Sequence, residues 1–259
     1  MKSLKLLFVG NSFAVDTMEH AADVAHALGV EDVHFGVLYV GGCSIGMHYD
    51  YAMRDCGAYI YYTNDGNGWS EMPGFKISDA VKSETWDWIA IQHGSSGTNR
   101  YTSPECYEHL GDLIDYIKKL ANKDARIAFN LTWIGEPTFD HHELLSYGRD
   151  VSLMRKKLEE VTERMVLGNP KVDLLVPTGT AIENARTSDI GILTRDGYHL
   201  SLDKGRYIAA LTLVSTVTGI SADKIEWMPD GVDGYARQVA IESVKNAQKA
   251  PLAVTKSSL

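Results

Sequence analysis

A hydroxyl, a carboxylate and an imidazole stand in this chain at positions from which they could act together on an acyl group. Near the amino end the sequence reads Gly10-Asn11-Ser12-Phe13, and near the carboxyl end Asp196-Gly197-Tyr198-His199. An aspartate three residues before a histidine, with a glycine between them, can fold back onto the ring. It would then hold Nδ1–H and leave Nε2 free to take a proton from a hydroxyl such as that of Ser12. Each stretch alone has a plainer reading. Asn-Ser can be a turn that caps a helix, and most aspartates and histidines in loops are merely solvated.

The two stretches gain weight from the elements around them. Leu4 to Val9 is a short apolar run that reads as a buried strand, with Gly10 allowing a sharp turn at its end. Ser12 would stand at the carboxyl end of that strand, where open α/β sheets place their ligands. Helical spacing then runs from Val15 through Met18, Ala22 and Ala25 to Leu28. Further strands are expected at Val33–Val40, Asp87–Gln92, Arg126–Trp133 and Val172–Val176. Helices are expected on the face marked by Tyr107 to Ala121, over Val151–Met165, Leu202–Gly219 and Val232–Gln248. Strands alternating with helices predict an α/β fold, a single doubly wound, mostly parallel sheet covered on both faces in three layers. Tyr59-Ile60-Tyr61-Tyr62, the turn sequence Asn64-Asp65-Gly66-Asn67-Gly68 and Trp69 predict a small β-hairpin insertion at about residues 58–72. Its aromatics could stack on a sugar ring or could be packing. One domain is expected over residues 1–250, with a loose tail at 251–259.

Composition narrows the partners. With 259 residues, a net charge of -9 and 44% hydrophobic residues, the chain has an ordinary globular composition. The acidic balance argues against nucleic acid or an anionic membrane as partner, and no apolar stretch approaches a bilayer span. The expected location is cytoplasmic as the sequence stands, or periplasmic or secreted if a leader has been removed. Cys43, Cys56 and Cys106 read as thiols, with a Cys43–Cys56 bridge as the alternative. No nucleotide-binding glycine motif is present. Asp140-His141-His142-Glu143 could suggest a metal, but neighbouring side chains on regular structure point apart and no second cluster completes a site. No metal or other cofactor is expected.

With these residues in view, the sequence resembles the SGNH, or GDSL-like, hydrolase superfamily, and most closely a bacterial branch of it often known only as a domain of unknown function. Gly10-Asn11-Ser12-Phe13 looks like the first block, in which a Gly-Asp-Ser turn carries the nucleophile. Gly42 in Gly42-Cys43-Ser44 looks like the second-block glycine, and Asp196-Gly197-Tyr198-His199 like the fifth block. The resemblance implies a serine esterase with Ser12, Asp196 and His199 as its catalytic residues. It also implies an oxyanion site that includes the backbone N–H groups of Ser12 and Gly42. Asn11 replaces the first-block aspartate, a change expected to be tolerated because that residue supports the turn. The third block departs further: Ile91-Gln92-His93-Gly94-Ser95-Ser96 lacks the usual asparagine donor. Gln92 is the expected replacement, with Ser96 behind it. Asn11, His48, His93, Ser96 and Trp133 are expected to line the substrate pocket. The expected partner is a small ester, with an acetylated carbohydrate as one candidate. The alternative is a non-hydrolytic binding protein on a decayed hydrolase scaffold.

Overall fold

In the computed structural model, residues 1–93, 102–139 and 142–259 are described, without the side chains of residues 142 and 143. Seven strands form one sheet: β1 Ser3–Gly10, β2 Asp32–Tyr39, β3 Tyr59–Asn64, β4 Trp69–Phe75, β5 Trp88–Ile91, β6 Arg126–Asn130 and β7 Leu174–Val176. They lie in the order β4-β3-β2-β1-β5-β6-β7. All pairings among β2, β1, β5, β6 and β7 are parallel, while β3 and β4 add antiparallel to the β2 edge. This is the α/β fold expected from the sequence. The hairpin does more than decorate it, because it extends the sheet and runs to Phe75.

The helices are α1 Ser12–Met18, α2 Ala21–Ala27, α3 Ile45–Arg54, α4 Ile77–Lys82, α5 Leu110–Leu120, α6 His142–Ser146, α7 Val151–Thr162, α8 Thr178–Ala185, α9 Lys204–Thr218 and α10 Gly234–Lys249. Alternation along the strands sorts the core into two layers. Leu4, Leu6 and Phe8 face Val24, Ile208 and Leu211, whereas Leu7 and Val9 face Ile45, Ile114 and Leu158.

Two expectations need correction. The single helix predicted from Val15 to Leu28 is broken into α1 and α2. At the break the Glu19 carbonyl accepts from the Trp69 indole N–H at 3.4 Å, a contact from the hairpin that no local periodicity reports. The carboxyl-terminal tail is not loose. Thr180 Oγ1 donates to the Pro251 carbonyl, Thr255 N–H to Asn184 Oδ1 and Ser257 N–H to Thr187 Oγ1, at 2.5, 2.6 and 2.7 Å. Among the described residues no helix is long and apolar enough to cross a membrane. The three cysteines are free.

Candidate active site

The parallel strands run in the order β2-β1-β5-β6-β7. The chain therefore reverses its direction of growth between β1 and β5, and a crevice opens at the carboxyl ends of those two strands. Ser12 stands at that point as the first residue of α1. Asn11 caps the helix, its Oδ1 accepting from the Phe13 N–H at 3.0 Å. A Cβ on Gly10 would lie 2.6 Å from the Ala14 Cβ, so the strand-to-helix turn closes only with glycine there.

Across the crevice the loop from Thr194 to Leu200 carries Asp196 and His199. Its stem is closed by the Arg195 N–H donating to the His199 carbonyl at 2.9 Å. Gly197 sits at φ +82°, a left-handed conformation that a β-carbon would strain. Asp196 Oδ1 accepts from the backbone N–H groups of Tyr198 and His199 at 2.9 and 2.7 Å, while Oδ2 meets His199 Nδ1 at 2.6 Å. His199 Nε2 lies 2.9 Å from Ser12 Oγ. A carboxylate can only accept, so Nδ1 carries the proton and Nε2 offers its lone pair to the serine O–H. Burial pushes Asp196 up, but the hydrogen bonds from His199 and Tyr198 outweigh it and hold the carboxyl below its ordinary value. The imidazole is braced by rings. Phe13 stacks on Trp133 at 4.3 Å and meets His199 edge-on at 5.9 Å, and the Trp133 indole donates to the Tyr198 carbonyl at 2.7 Å.

Asp16, one helical turn beyond Ser12, does not stand out in the sequence and proves central to this geometry. It is fully buried. Its Oδ1 accepts from Arg195 Nη1 and from Arg206 Nε and Nη2, each at 2.9 Å, and its Oδ2 accepts from the Leu200 N–H at 3.0 Å. The helix carrying the serine is thus fastened to both ends of the loop carrying the histidine. Its neighbours at i±3 and i±4 are Ser12, Phe13, Glu19 and His20, so no apolar periodicity marks it in the sequence.

The remaining expected site residues separate into those at the crevice and those beneath it. Asn11 is buried and serves as a bracket. Its Nδ2 donates to the carbonyls of Cys43 and His93 at 3.0 and 3.4 Å, tying the loop after β2 and the end of β5 to the turn. Gly42, at φ +63°, lies in the first of these tethered loops. Gln92 is wholly buried below the turn. Its Nε2 donates to Asn11 Oδ1 at 2.8 Å, its Oε1 accepts from Asn130 Nδ2 at 3.2 Å, and Thr178 Oγ1 donates to Asn130 Oδ1 at 2.6 Å. The assignment of Gln92 to the oxyanion site is therefore corrected: its amide holds the turn from below.

Three pocket assignments are corrected in the same way. His48 is buried against Tyr59, whose hydroxyl lies 2.9 Å from Nδ1, with the Cys43 sulfur at 3.4 Å. His93 is buried with Nε2 2.9 Å from Thr132 Oγ1. Burial pushes both imidazoles down to about 3 and the Cys43 thiol up to about 12. Trp133 is core brace and not pocket wall. Ser96 lies outside the described residues, as do Asp140 and His141.

The fold is that of a three-layer α/β protein built on one seven-stranded, mostly parallel sheet. Residues 5–247 match the family described as Domain of unknown function (DUF4886), and the chain belongs to that family. It is similar to a DUF4886 family protein from Bacteroides uniformis ATCC 8492, with 29% identity, a TM-score of 0.92 and 98% of each chain covered. Axe2, an acetylxylan esterase from Geobacillus stearothermophilus, shares 15% identity at a TM-score of 0.49, covering 83% of this chain and 94% of that one. LAE5, an alpha/beta hydrolase enzyme from the metagenome of Lake Arreo, Spain, shares 15% identity at a TM-score of 0.48, covering 85% and 98%. No curated protein matched the chain.

Proposed function

We propose that this protein is a serine esterase that removes the acyl group from small esters. The observation that carries the reading is the continuous line Ser12 Oγ–His199 Nε2–His199 Nδ1–Asp196 Oδ2, with contacts of 2.9 and 2.6 Å. Ser12 Oγ attacks the ester carbonyl as its proton passes to Nε2, and Asp196 stabilises the imidazolium that forms. Collapse of the tetrahedral intermediate breaks the ester C–O bond, and the leaving alkoxide takes the proton from Nε2. Water, giving a proton to His199, then attacks the acyl-serine, and His199 returns that proton to Ser12 Oγ as the carboxylic acid leaves. In this reading the oxyanion is met by backbone N–H groups, that of Ser12 at the open end of α1 and that of Gly42. With Gln92 engaged below, one side-chain donor is missing from the described set. Loss of one such donor slows related chemistry by roughly a hundredfold or more. That shortfall is what supports the second reading, a binding protein that has kept the scaffold and lost turnover.

A fluorophosphonate probe separates the two. We expect labelling of the wild type and none of Ser12→Ala. A folded wild type that resists the probe, or equal labelling of both, would overturn the esterase. For an acetylated carbohydrate, the other candidate substrate, support would have to come from the hairpin aromatics. Of these, Tyr59 and Tyr61 are buried in the core, which leaves Tyr62 and Trp69 to meet a ligand.

A further inference from the structure

Helix α1 has a second face beside the nucleophile. At about 100° per residue, Asp16 and Phe13 fall on one side of Ser12, and Val15 and Glu19 fall on the other. The first side is occupied by the His199 loop. The second borders a cavity of about 170 Å³ lined by Val15, Met18, Glu19, Val37, Tyr62 and Trp69. Residues at i and i+3 of a helix are neighbours about 5–6 Å apart, and helical side chains lean toward the amino end. Val15 therefore forms the edge of the cavity nearest Ser12. From Val15 the chain runs about 6 Å along the helix axis to Glu19. At that depth the Trp69 indole N–H is taken by the Glu19 carbonyl at 3.4 Å. The opposite wall is the paired Val37 and Tyr62 of β2 and β3.

We propose that this cavity receives the acyl chain of the substrate, and that the protein prefers aliphatic acyl groups longer than acetyl. The inference rests on the esterase reading above and names the substrate class for that site. Mechanism fixes which half of the ester points this way. His199 must hand its proton to the departing oxygen, so the alcohol lies on the Asp16 side of Ser12 and the acyl chain on the Val15 side. The lining fixes the chemistry. Met18 and Val37 are buried hydrocarbon. The Glu19 carboxylate is paired with Arg206 at 3.3 Å, and the indole N–H of Trp69 is already used. Among the described lining residues, the Tyr62 hydroxyl is the one polar side-chain group that makes no hydrogen bond or ion pair. A hydrocarbon chain loses nothing there, whereas a sugar ring would leave most of its hydroxyls unpaired.

The test is kcat/KM for p-nitrophenyl acetate, butyrate, hexanoate and octanoate, measured beside Ser12→Ala. We expect a rise of about fourfold per added methylene until the chain reaches Trp69. Val15→Trp, which fills the entrance, should bring the hexanoate-to-acetate ratio close to one. Trp69→Ala, which removes the floor, should move the optimum to a longer chain. Misfolding cannot mimic opposite shifts, because it lowers all esters together. A wild type that turns over acetate through Ser12 yet shows no rise with length overturns the cavity assignment and leaves the esterase standing. A ratio unchanged in Val15→Trp does the same, and so does a rise that follows the alcohol chain of alkyl acetates instead. Turnover of no ester at all overturns both.

Discussion

Replacing Asp16 by asparagine tests whether the buried carboxylate sets the register between Ser12 and His199. The side chain keeps its shape, loses its charge, and turns an NH₂ either toward the two guanidiniums or toward the Leu200 N–H, donors in both cases. Breaking a buried charge pair from one side costs about 3–5 kcal/mol. The lower end applies here, because the Arg195 side chain is 35% exposed and can be hydrated, while Arg206, 14% exposed, keeps Glu19. A loss of about 3 kcal/mol corresponds to a fall in Tm of roughly 6–12 °C for a chain of this size. Activity should suffer separately. With Leu200 or Arg195 released, His199 loses an anchor on one side of it, and a displacement of about 1 Å from the reactive geometry can cost on the order of a hundredfold. The assay is steady-state ester hydrolysis well below the lowered Tm, where the variant is folded. We expect kcat down by about a hundredfold and KM within about threefold. The double variant Asp16→Leu/Arg206→Met should recover part of the stability but not kcat, since apolar packing can replace a buried ion pair and cannot hold the loop. A kcat within threefold of wild type in Asp16→Asn would refute the positioning role, and an unchanged Tm would refute the cost assigned to the buried charge.

Two further outcomes are expected from the buried polar framework. Asn11→Asp, which restores the first-block acid, keeps the contacts to Phe13 and Gln92 but has no donor for the carbonyls of Cys43 and His93. It should cost about 2–4 kcal/mol by urea unfolding and slow fluorophosphonate labelling; an unchanged midpoint would show that the bracket is dispensable. His48 and His93 are held neutral by burial, at about 3 against an ordinary 6.5. The unfolded chain therefore binds up to two more protons between those values. Stability is full above about pH 6.5 and falls as the pH drops toward 3, with a limiting slope of about 2.7 kcal/mol per pH unit. Urea midpoints between pH 7.5 and 5.5 measure it, and His93→Gln should halve the slope. A flat profile there would contradict the burial of both rings.

The acid–base half of the candidate site is legible in the sequence because it is local. Asp196 reaches Tyr198 N–H, His199 N–H and the His199 ring within three residues, so spacing and a glycine suffice to specify it. The turn at Gly10-Asn11-Ser12 is equally local, and alternating apolar runs specify a parallel sheet whose rim gathers the strand ends. Burial at that rim is decided by what packs across it. Gln92, His93 and Trp133 follow strand ends yet are covered by residues distant in the chain, and His48 is buried within α3 against Tyr59, so all four serve as framework instead of pocket wall. Asp16 shows the same limit from the other side. Its partners Arg195, Leu200 and Arg206 lie 179 to 190 positions away. No periodicity or motif within α1 reports that contact. Only the folded sheet brings those groups together, and a carboxylate removed from water can be kept charged only by partners that tertiary structure supplies.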